Sequence, residues 1–445
     1  MVSFQLRKNH RLLILLLMVG LLAPVTPALA GLELVSHRTE LDYWLGVDGE
    51  EGRIALSRLS IRPEIKLRFD QGWRLEAAGR FEAARDRTGL GTVETYSSAS
   101  RPLIDNDDVR LEIDRLVLSR RIGDHRLSFG KQTIAWGVLD GIQITDRFDP
   151  VRRRDFVLTE VRPERLARWG LRWQREGEGL NVDLAVAFDP TVNQLANAGD
   201  RFQPLASRLL GGLAIDPGSA DIPIMQSERD RYWHDATLGL RLSRRIGRAD
   251  ASLLFLSGPD PEPLLQLVDL DGSQSVINLE HPRRMLIGGT LEFPAGSHVW
   301  RLELAHSPDQ AINTESEIQL SSDERGRTLA GIGMDWNAPG GWFINAQLAV
   351  DHLSSGSPVA VRPRTDVIST LRIQRSIAQD TIKLRSELLT SLSDADGVLR
   401  ASMDWQYSDP LRLSIGADWL FGTRDGLFGQ YQDASRAWLR MRFTF

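Results

Sequence analysis

Arginine supplies almost all of the positive charge in this chain. Lys occurs only at positions 8, 66, 131 and 383, within a Lys+Arg total of 54. A guanidinium offers a planar fork of N–H donors matched to carboxylate and phosphate oxygens. Arg62, Arg68, Arg74, Arg80, Arg110, Arg301, Arg372, Arg385, Arg400, Arg412, Arg440 and Arg442 are interleaved with Glu64, Glu76, Glu82, Glu112, Asp114, Glu303, Glu387, Asp404 and Asp418. Two uses follow. Cross-strand Arg–carboxylate pairs can brace a wall, or unpaired Arg at a constriction can select anionic solutes. The larger share is expected in the first class. Gln132 and the contiguous Arg152, Arg153 and Arg154 complete the set of lumen and selectivity candidates.

Other chemistries find little support. Cys is 0, which removes disulfides, thiolate metal sites and a Cys nucleophile. No nucleophile elbow, phosphate loop or HExxH occurs. The His residues beyond position 30 (37, 125, 234, 281, 298, 306 and 352) show no helical metal-ligand spacing. His352 with Ser354 is the nearest approach to a catalytic pair, and it has no third member. Asp269-Leu270-Asp271-Gly272 and Asp394-Ala395-Asp396-Gly397 have calcium-loop beginnings without the remaining ligands and read as turns. No catalysis, metal or cofactor is expected.

The elements that must position the arginines are strands. Leu59, Ile61, Ile65, Leu67 and Phe69 alternate with Arg58, Ser60, Arg62, Glu64, Lys66 and Arg68. Leu411, Leu413, Ile415, Ala417 and Trp419 alternate with Arg412, Ser414, Gly416 and Asp418. A period of two places all the charge on one face, whereas a helix would scatter it. Beyond the first thirty residues no run is apolar enough for a membrane helix, which needs roughly 18 or more residues. Alternating segments of about ten residues instead suit a tilted membrane strand.

Connections alternate between short and long, as a transmembrane barrel requires. Short turns are predicted at 70–72, 121–125, 176–179, 245–248, 294–297, 337–341, 378–380 and 408–410. Longer segments are predicted at 86–107, 137–164, 190–231, 258–281, 308–324, 354–364 and 423–433. The short turn at 394–397 falls where parity asks for an external loop. The expectation is an all-β fold, a single transmembrane antiparallel barrel over 31–445 with about 18 strands, or 16 without the first strand and with one merged segment. The first strand is placed near 33–45, with the two ends of the barrel meeting on one side.

Residues 1–30 read as a cleaved signal peptide: Arg7, Lys8 and Arg11, an apolar core from Leu12 to Leu22, then Ala28-Leu29-Ala30. Its removal changes 54 Lys+Arg to 51 against 59 Asp+Glu, a net charge of −8. In the last strand Ala437, Leu439, Met441, Phe443 and Phe445 alternate with Arg436, Trp438, Arg440, Arg442 and Thr444. Phe443 and Phe445 resemble the closing signal that the outer-membrane barrel assembly machinery recognises. Closure against the first strand would remove an aggregation-prone edge.

One segment carries a family resemblance. Gly130, Lys131, Gln132, Ile134, Trp136 and Gly137, followed by Asp149-Pro150, match a Gly-(Arg/Lys)-Gln-x-(Ile/Val)-x-Trp-Gly run placed on a strand, then Asp-Pro. This resembles a group of Gram-negative outer-membrane, porin-like barrels akin to the alginate-export family. Lys131 stands where Arg is usual. The resemblance implies a barrel of about 18 strands with a polar, Arg-rich lumen. Strand parity from Leu127 and Phe129 puts Lys131 on the lipid side, where a mid-bilayer charge costs about 2–4 kcal/mol. Lys131 is therefore expected near the rim, or Gly130 at a bulge that resets the facing.

The loop that follows carries Arg147, Arg152, Arg153, Arg154, Arg162 and Arg165 with Asp146, Asp149, Asp155, Glu160 and Glu164. It is expected either to enter the lumen or to stand solvated outside it. Leu205 to Ile215 is apolar enough for a short helix that caps or plugs the barrel. The function expected is a passive channel for hydrophilic, anionic solutes in the Gram-negative outer membrane. The alternatives are an export pore for an acidic polysaccharide, a scaffold barrel and a barrel enzyme. Expected partners are outer-membrane lipid and lipopolysaccharide, the assembly machinery, and a small anionic solute or polysaccharide, with no nucleic acid.

Overall fold

The computed structural model describes residues 32–49, 52–85, 89–91, 93–106, 108–156, 164–197, 199–204, 206, 224–225, 230–270, 274–314 and 321–445. The proposed signal peptide, Glu160, Arg162, all of Leu205–Ile215 except Ala206, and Asp271-Gly272 lie outside the described residues.

The strands in chain order are β1 (Leu32–Asp48), β2 (Ile54–Phe69), β3 (Trp73–Ala84), β4 (Ile104–Asp105), β5 (Val109–Ile122), β6 (His125–Gln132), β7 (Arg168–Arg175), β8 (Asn181–Ala187), β9 (Ile224–Met225), β10 (Thr237–Ile246) and β11 (Ala249–Pro259). They continue as β12 (Leu264–Leu270), β13 (Gln274–Glu280), β14 (Arg283–Ala295), β15 (His298–Thr314), β16 (Ser321–Ala338) and β17 (Trp342–Leu353). The last are β18 (Thr365–Ile377), β19 (Ile382–Ser391), β20 (Asp396–Gln406), β21 (Leu411–Phe421) and β22 (Arg436–Thr444). All but β4, β9, β12 and β13 pair antiparallel with their neighbours in one continuous wall, giving the 18-stranded barrel expected.

The wall closes between its first and last strands. Register runs from Glu40 opposite Thr444 to Asp48 opposite Arg436. Thr39 and Phe445 exchange backbone bonds of 2.7 and 3.0 Å. The outer face carries exposed Leu127, Phe129, Leu253, Leu304, Leu439 and Phe443. Exposed Phe69, Trp342, Trp405, Tyr407 and Phe445 gather near the short-turn rim, like the aromatic girdle of a membrane barrel.

Each of the eight predicted short turns joins two wall strands, and 394–397 is a tight connection on the opposite, long-loop side. Two predicted long loops are largely strand instead. The 258–281 segment holds the hairpin β12–β13, with β9 parallel to β13. β15 and β16 continue past an irregularity between Ser307 and Gln310 and stay paired to Thr314–Ser321, so the 308–324 loop is largely a tall hairpin.

The long loop after β6 begins earlier than expected. β6 ends at Gln132, so Ile134, Trp136 and Gly137 are not on a strand. The reason is competition for backbone donors: Ile134 N donates to the Asp149 carboxylate and Trp136 N to Asp146 Oδ1, and neither joins a ladder. β4 then pairs with β5 beyond the end of β6.

Candidate functional site: a loop-lined lumen

The chain from Thr133 to Phe156 turns into the barrel. Ile134, Trp136, Leu139, Ile144 and Phe148 are buried against inward positions of the wall: Ala185 and Ala187 of β8, Leu254 and Leu256 of β11, Leu286 of β14, Ala305 of β15, Leu329 of β16 and Ala349 of β17. Two glycines make the fit possible. A Cβ on Gly239 would lie 2.5 Å from the Trp136 ring, and one on Gly331 would lie 2.4 Å from Ile144 Cδ1. Trp136 packs on Phe148 at a 5.3 Å centroid distance, and the Arg168 guanidinium covers Phe148 at 5.1 Å.

Wall carboxylates hold the backbone of this loop. Glu303 on β15 accepts Val138 N at 2.5 Å, Leu139 N at 2.7 Å, Thr145 N at 2.9 Å and Thr145 Oγ1 at 2.6 Å. Gln347 on β17 accepts Asp140 N at 2.9 Å and donates to Asp140 O at 2.7 Å. Asp183 on β8 accepts the Trp136 indole N–H at 3.0 Å. Buried backbone donors without partners would cost about 1–3 kcal/mol each, so these acceptors fix the loop inside. Of the two expectations for this segment, the lumen holds it.

Opposite the apolar patch lies an ion-pair network. Arg80, 2% exposed, reaches Glu164 at 2.8 Å, Glu112 at 3.2 Å, Asp114 at 3.3 Å and Glu82 at 3.7 Å. Arg152 reaches Glu112 at 2.6 Å and Arg154 reaches Glu82 at 2.7 Å. Arg58 forks onto Asp155 at 2.7 and 2.9 Å. Arg110 pairs with Asp105 at 2.6 Å and donates to Leu90 O and Gly91 O. Burial would raise the Asp155 carboxyl, but Arg58 and Arg154 outweigh it and hold it below the ordinary range. Among the selectivity candidates, Arg80, Arg110, Arg152 and Arg154 are therefore bracing groups.

Several other candidates also pair. Arg301 bonds Glu292 at 2.7 Å and Asp335, and Arg440 and Arg442 share Asp42. Arg385 lies 3.9 Å from Asp404, and Arg412 donates to Gln406 at 2.9 Å. Arg62 reaches Glu164 at 3.3 Å and so joins the bracing network, whereas Arg68 and Arg74 lie toward the short-turn end. Arg68 and Arg74 face each other in register, and Glu33 balances Arg68 at 3.0 Å.

The motif residues are brought together around the loop entry. Gly130 has φ 134°, and a Cβ there would meet Leu116 O at 2.0 Å. Lys131, one residue from the end of β6, is buried and donates to Ser100 O at 3.3 Å. Its charge thus sits at the long-loop rim. Gln132 donates to Gly170 O at 3.3 Å. A Cβ on Gly137 would lie 2.8 Å from that of Asp146, and Pro150 O accepts Leu166 N at 2.8 Å. Asp149 lies 3.5 Å from Arg168, yet burial pushes its carboxyl up to about 7.

What remains open is a cavity of about 510 Å³ between the inserted loop, Asn193–Pro204, Leu427–Tyr431 and the wall from β15 to β20. Six arginines line it, namely Arg147, Arg153, Arg327, Arg362, Arg372 and Arg400, with five carboxylates, Asp260, Glu262, Asp351, Asp366 and Glu387. Arg153 is the member of the 152–154 cluster that faces the opening, its side chain 34% exposed and 3.9 Å from Glu262. Arg372 pairs with Glu387 at 2.5 Å, and Arg400 with Asp418 at 3.2 Å.

Burial would raise the Glu262 carboxyl, but Arg147, Arg327 and Arg153 together hold it well below the carboxylate range. Burial lowers Arg147 to about 10, so it stays charged at neutral pH. An aromatic shelf borders the charges: Phe156 lies 4.8 Å from Tyr431 and 5.5 Å from Phe428, and Phe202 5.5 Å from Tyr431.

Arg327, Arg362, Glu262, Asp351 and Asp366 were not singled out from sequence. Strand parity with Leu329 and Asp335 could have found Arg327. Nothing local marks Arg362 or Glu262, which lie on connections. His352 Nδ1 bonds Thr365 Oγ1 at 2.8 Å and Ser354 Oγ accepts Gly326 N at 3.1 Å, so each member of that pair has another partner.

No family model matches the chain, and no curated protein matches it. Solved structures of outer-membrane channels share its fold. Pseudomonas aeruginosa OccK1 (OpdK) matches with a TM-score of 0.51 at 9% identity, over 92% of this chain and 98% of that one. OpdK of the same organism, solved with vanillate, matches with a TM-score of 0.50 at 10% identity, over 92% and 98%. P. aeruginosa OccK2 (OpdF), solved in complex with glucuronate, matches with a TM-score of 0.49 at 11% identity, over 92% and 96%. At these identities the likeness to the first two is one of fold alone.

Proposed function

We propose that the chain is a passive outer-membrane channel for small anionic solutes, with its selectivity step at the cavity beside Arg153. The cavity carries the reading: six arginines against five carboxylates around about 510 Å³, with an aromatic shelf on one side. Charged rings at a constriction set preference by field and hydrogen bonding. Arg153, the most exposed of these arginines, offers a fork to a carboxylate while Phe156, Phe428 and Tyr431 offer apolar surface to the rest of the solute. Vanillate, found with OpdK, is an aromatic carboxylate and a natural first probe. Residues 1–30 are the export signal in this reading, and Phe443 and Phe445 the assembly signal.

The inserted loop favours a small solute over a polymer. An export pore for an acidic polysaccharide would need Thr133–Phe156 to leave the lumen, against the bonds from Glu303, Gln347 and Asp183. The loop also fills the space a scaffold barrel would keep for a partner.

Refolded protein in a planar bilayer under a KCl gradient tests the reading. A reversal potential favouring chloride and reversible block by vanillate from one side are expected. Cation preference, or the absence of conductance from protein that migrates differently on boiled and unboiled gels, would overturn it.

A further inference from the structure

We propose that the outer wall from β11 to β17 holds one phosphorylated glycolipid of the outer leaflet, its acyl chain in a groove and its phosphate beneath Arg283. The inference rests on the reading of the barrel as membrane-embedded and adds a specific lipid site to it.

Three hydrogen-bonded rows cross this face. The middle row runs Leu253, Gly289, Leu304, Ala330. Leu253 and Leu304 project at 66% and 55% exposure, and the small Gly289 and Ala330 leave a cleft beside them. Ile287 borders the cleft above and Ile332 below, and the groove measures about 1130 Å³. Ridges of this height would hold a flat partner surface off the cleft, whereas a flexible hydrocarbon chain follows it and regains the dispersion contacts a void forfeits.

The row above changes character along its length. From Ile287 it passes to His306, Thr328, His352 and Thr365, each opposite the next on neighbouring strands. His306 Nδ1 shares a 2.9 Å hydrogen bond with Thr328 Oγ1, and His352 Nδ1 a 2.8 Å bond with Thr365 Oγ1. Each Nε2 is left without a partner among the described residues. Polar groups on a lipid-facing wall are costly at mid-bilayer and cheap near the interface, so this row marks the level where hydrocarbon gives way to headgroup.

A cation stands above it on the same face. Arg283 is four residues beyond Ile287 on β14, roughly 13 Å at the strand rise. It donates to His234 O at 2.7 Å and Ala236 O at 3.4 Å, and no carboxylate pairs with it among the described residues. A carbonyl-held guanidinium with spare charge above two outward imidazoles is complementary to a phosphorylated sugar headgroup, and the groove beneath takes the chain.

The test is native mass spectrometry of the detergent-solubilised protein, titrated with a multiply acylated diglucosamine bearing one phosphate and with its dephosphorylated form. One phosphorylated lipid per barrel is expected, with the dephosphorylated form about 10-fold weaker. Ala330→Phe, which fills the cleft, should weaken binding by about 10-fold or more, and Arg283→Ala with His306→Ala should do the same for the phosphorylated form alone. Ala401→Phe, on the outer wall of β20, is the control and should bind normally.

Equal binding by the Ala330 and Ala401 variants, or indifference to the phosphate, overturns the proposal. So does an oligomer of wild-type chains that Ala330→Phe dissociates, since the face is then an interface between copies. Unboiled gel mobility keeps misfolded variants from being scored. Wild-type protein that conducts without binding the lipid sinks this proposal alone, whereas protein that never forms a barrel sinks the channel reading.

Discussion

The Glu303 carboxylate accepts both the backbone N–H and the hydroxyl of Thr145, at 2.9 and 2.6 Å, across 158 residues of sequence. Its other oxygen takes Val138 N and Leu139 N. One wall residue thus satisfies four donors of the lumen loop.

Glu303→Gln replaces an acceptor oxygen with a donor that faces donors. The loss is expected to be about 1–3 kcal/mol. Single-channel current should become larger and noisier, and limited trypsin digestion should cut faster at Arg147 and Arg153. Unchanged current and unchanged digestion would mean that the loop is held by other contacts.

Arg152 and Arg153 are neighbours with opposite environments, 4% and 34% exposed at the side chain. Arg152→Ala leaves Glu112 facing a lost partner and should destabilise the barrel by about 3–5 kcal/mol. Arg153→Ala should fold normally and lower anion-over-cation permeability by a factor of about 5, the equivalent of about 1 kcal/mol of field at the cavity. Guanidinium unfolding and reversal potentials separate the two. A swap of these effects would assign selectivity to the wrong arginine.

The Gly239 position admits no side chain beside Trp136. Gly239→Val should push the Trp136 ring off the wall and unseat the loop, raising conductance without removing the barrel. Fluorescence of the indole should move to longer wavelength. A variant with native emission and native current would show that the wall yields instead.

Asp149 titrates near neutrality. Its folded value of about 7 lies above its ordinary 3.8 because it is buried. A carboxyl shifted upward contributes stability that is full below the unfolded value and lost as pH rises through the folded one. Loop seating should therefore weaken as pH rises from about 4 to about 7 and level off above that, seen as rising current noise, and Asp149→Asn should flatten that dependence. Glu262 runs the other way: held well below its ordinary 4.5 by Arg147, Arg327 and Arg153 despite burial, it gives stability that disappears only in strong acid. A noise profile that grows toward acid pH would remove Asp149 from the account.

The wall was legible because its rule is local. Alternation from Leu59 to Phe69 and from Ala437 to Phe445 assigns faces residue by residue, and the predicted turns fix the count without reference to distant partners. The lumen was not, because the surface that receives Trp136, Leu139 and Ile144 is assembled from Ala185, Gly239, Ala305, Gly331 and Ala349. In sequence each of these is only a small residue at an inward position. Likewise Arg152, Arg153 and Arg154 form one basic run, and only the approach of Glu112, Glu82 and Glu262 from other elements separates bracing from exposed charge.

The sequence by itself therefore determined a closed sheet with greasy and charged faces, since side-chain facing follows from a backbone period of two. The tertiary structure decided which charges are spent on one another and which face the opening. Pairing depends on distances between side chains far apart in the chain, and those distances exist only once the loop has entered the barrel.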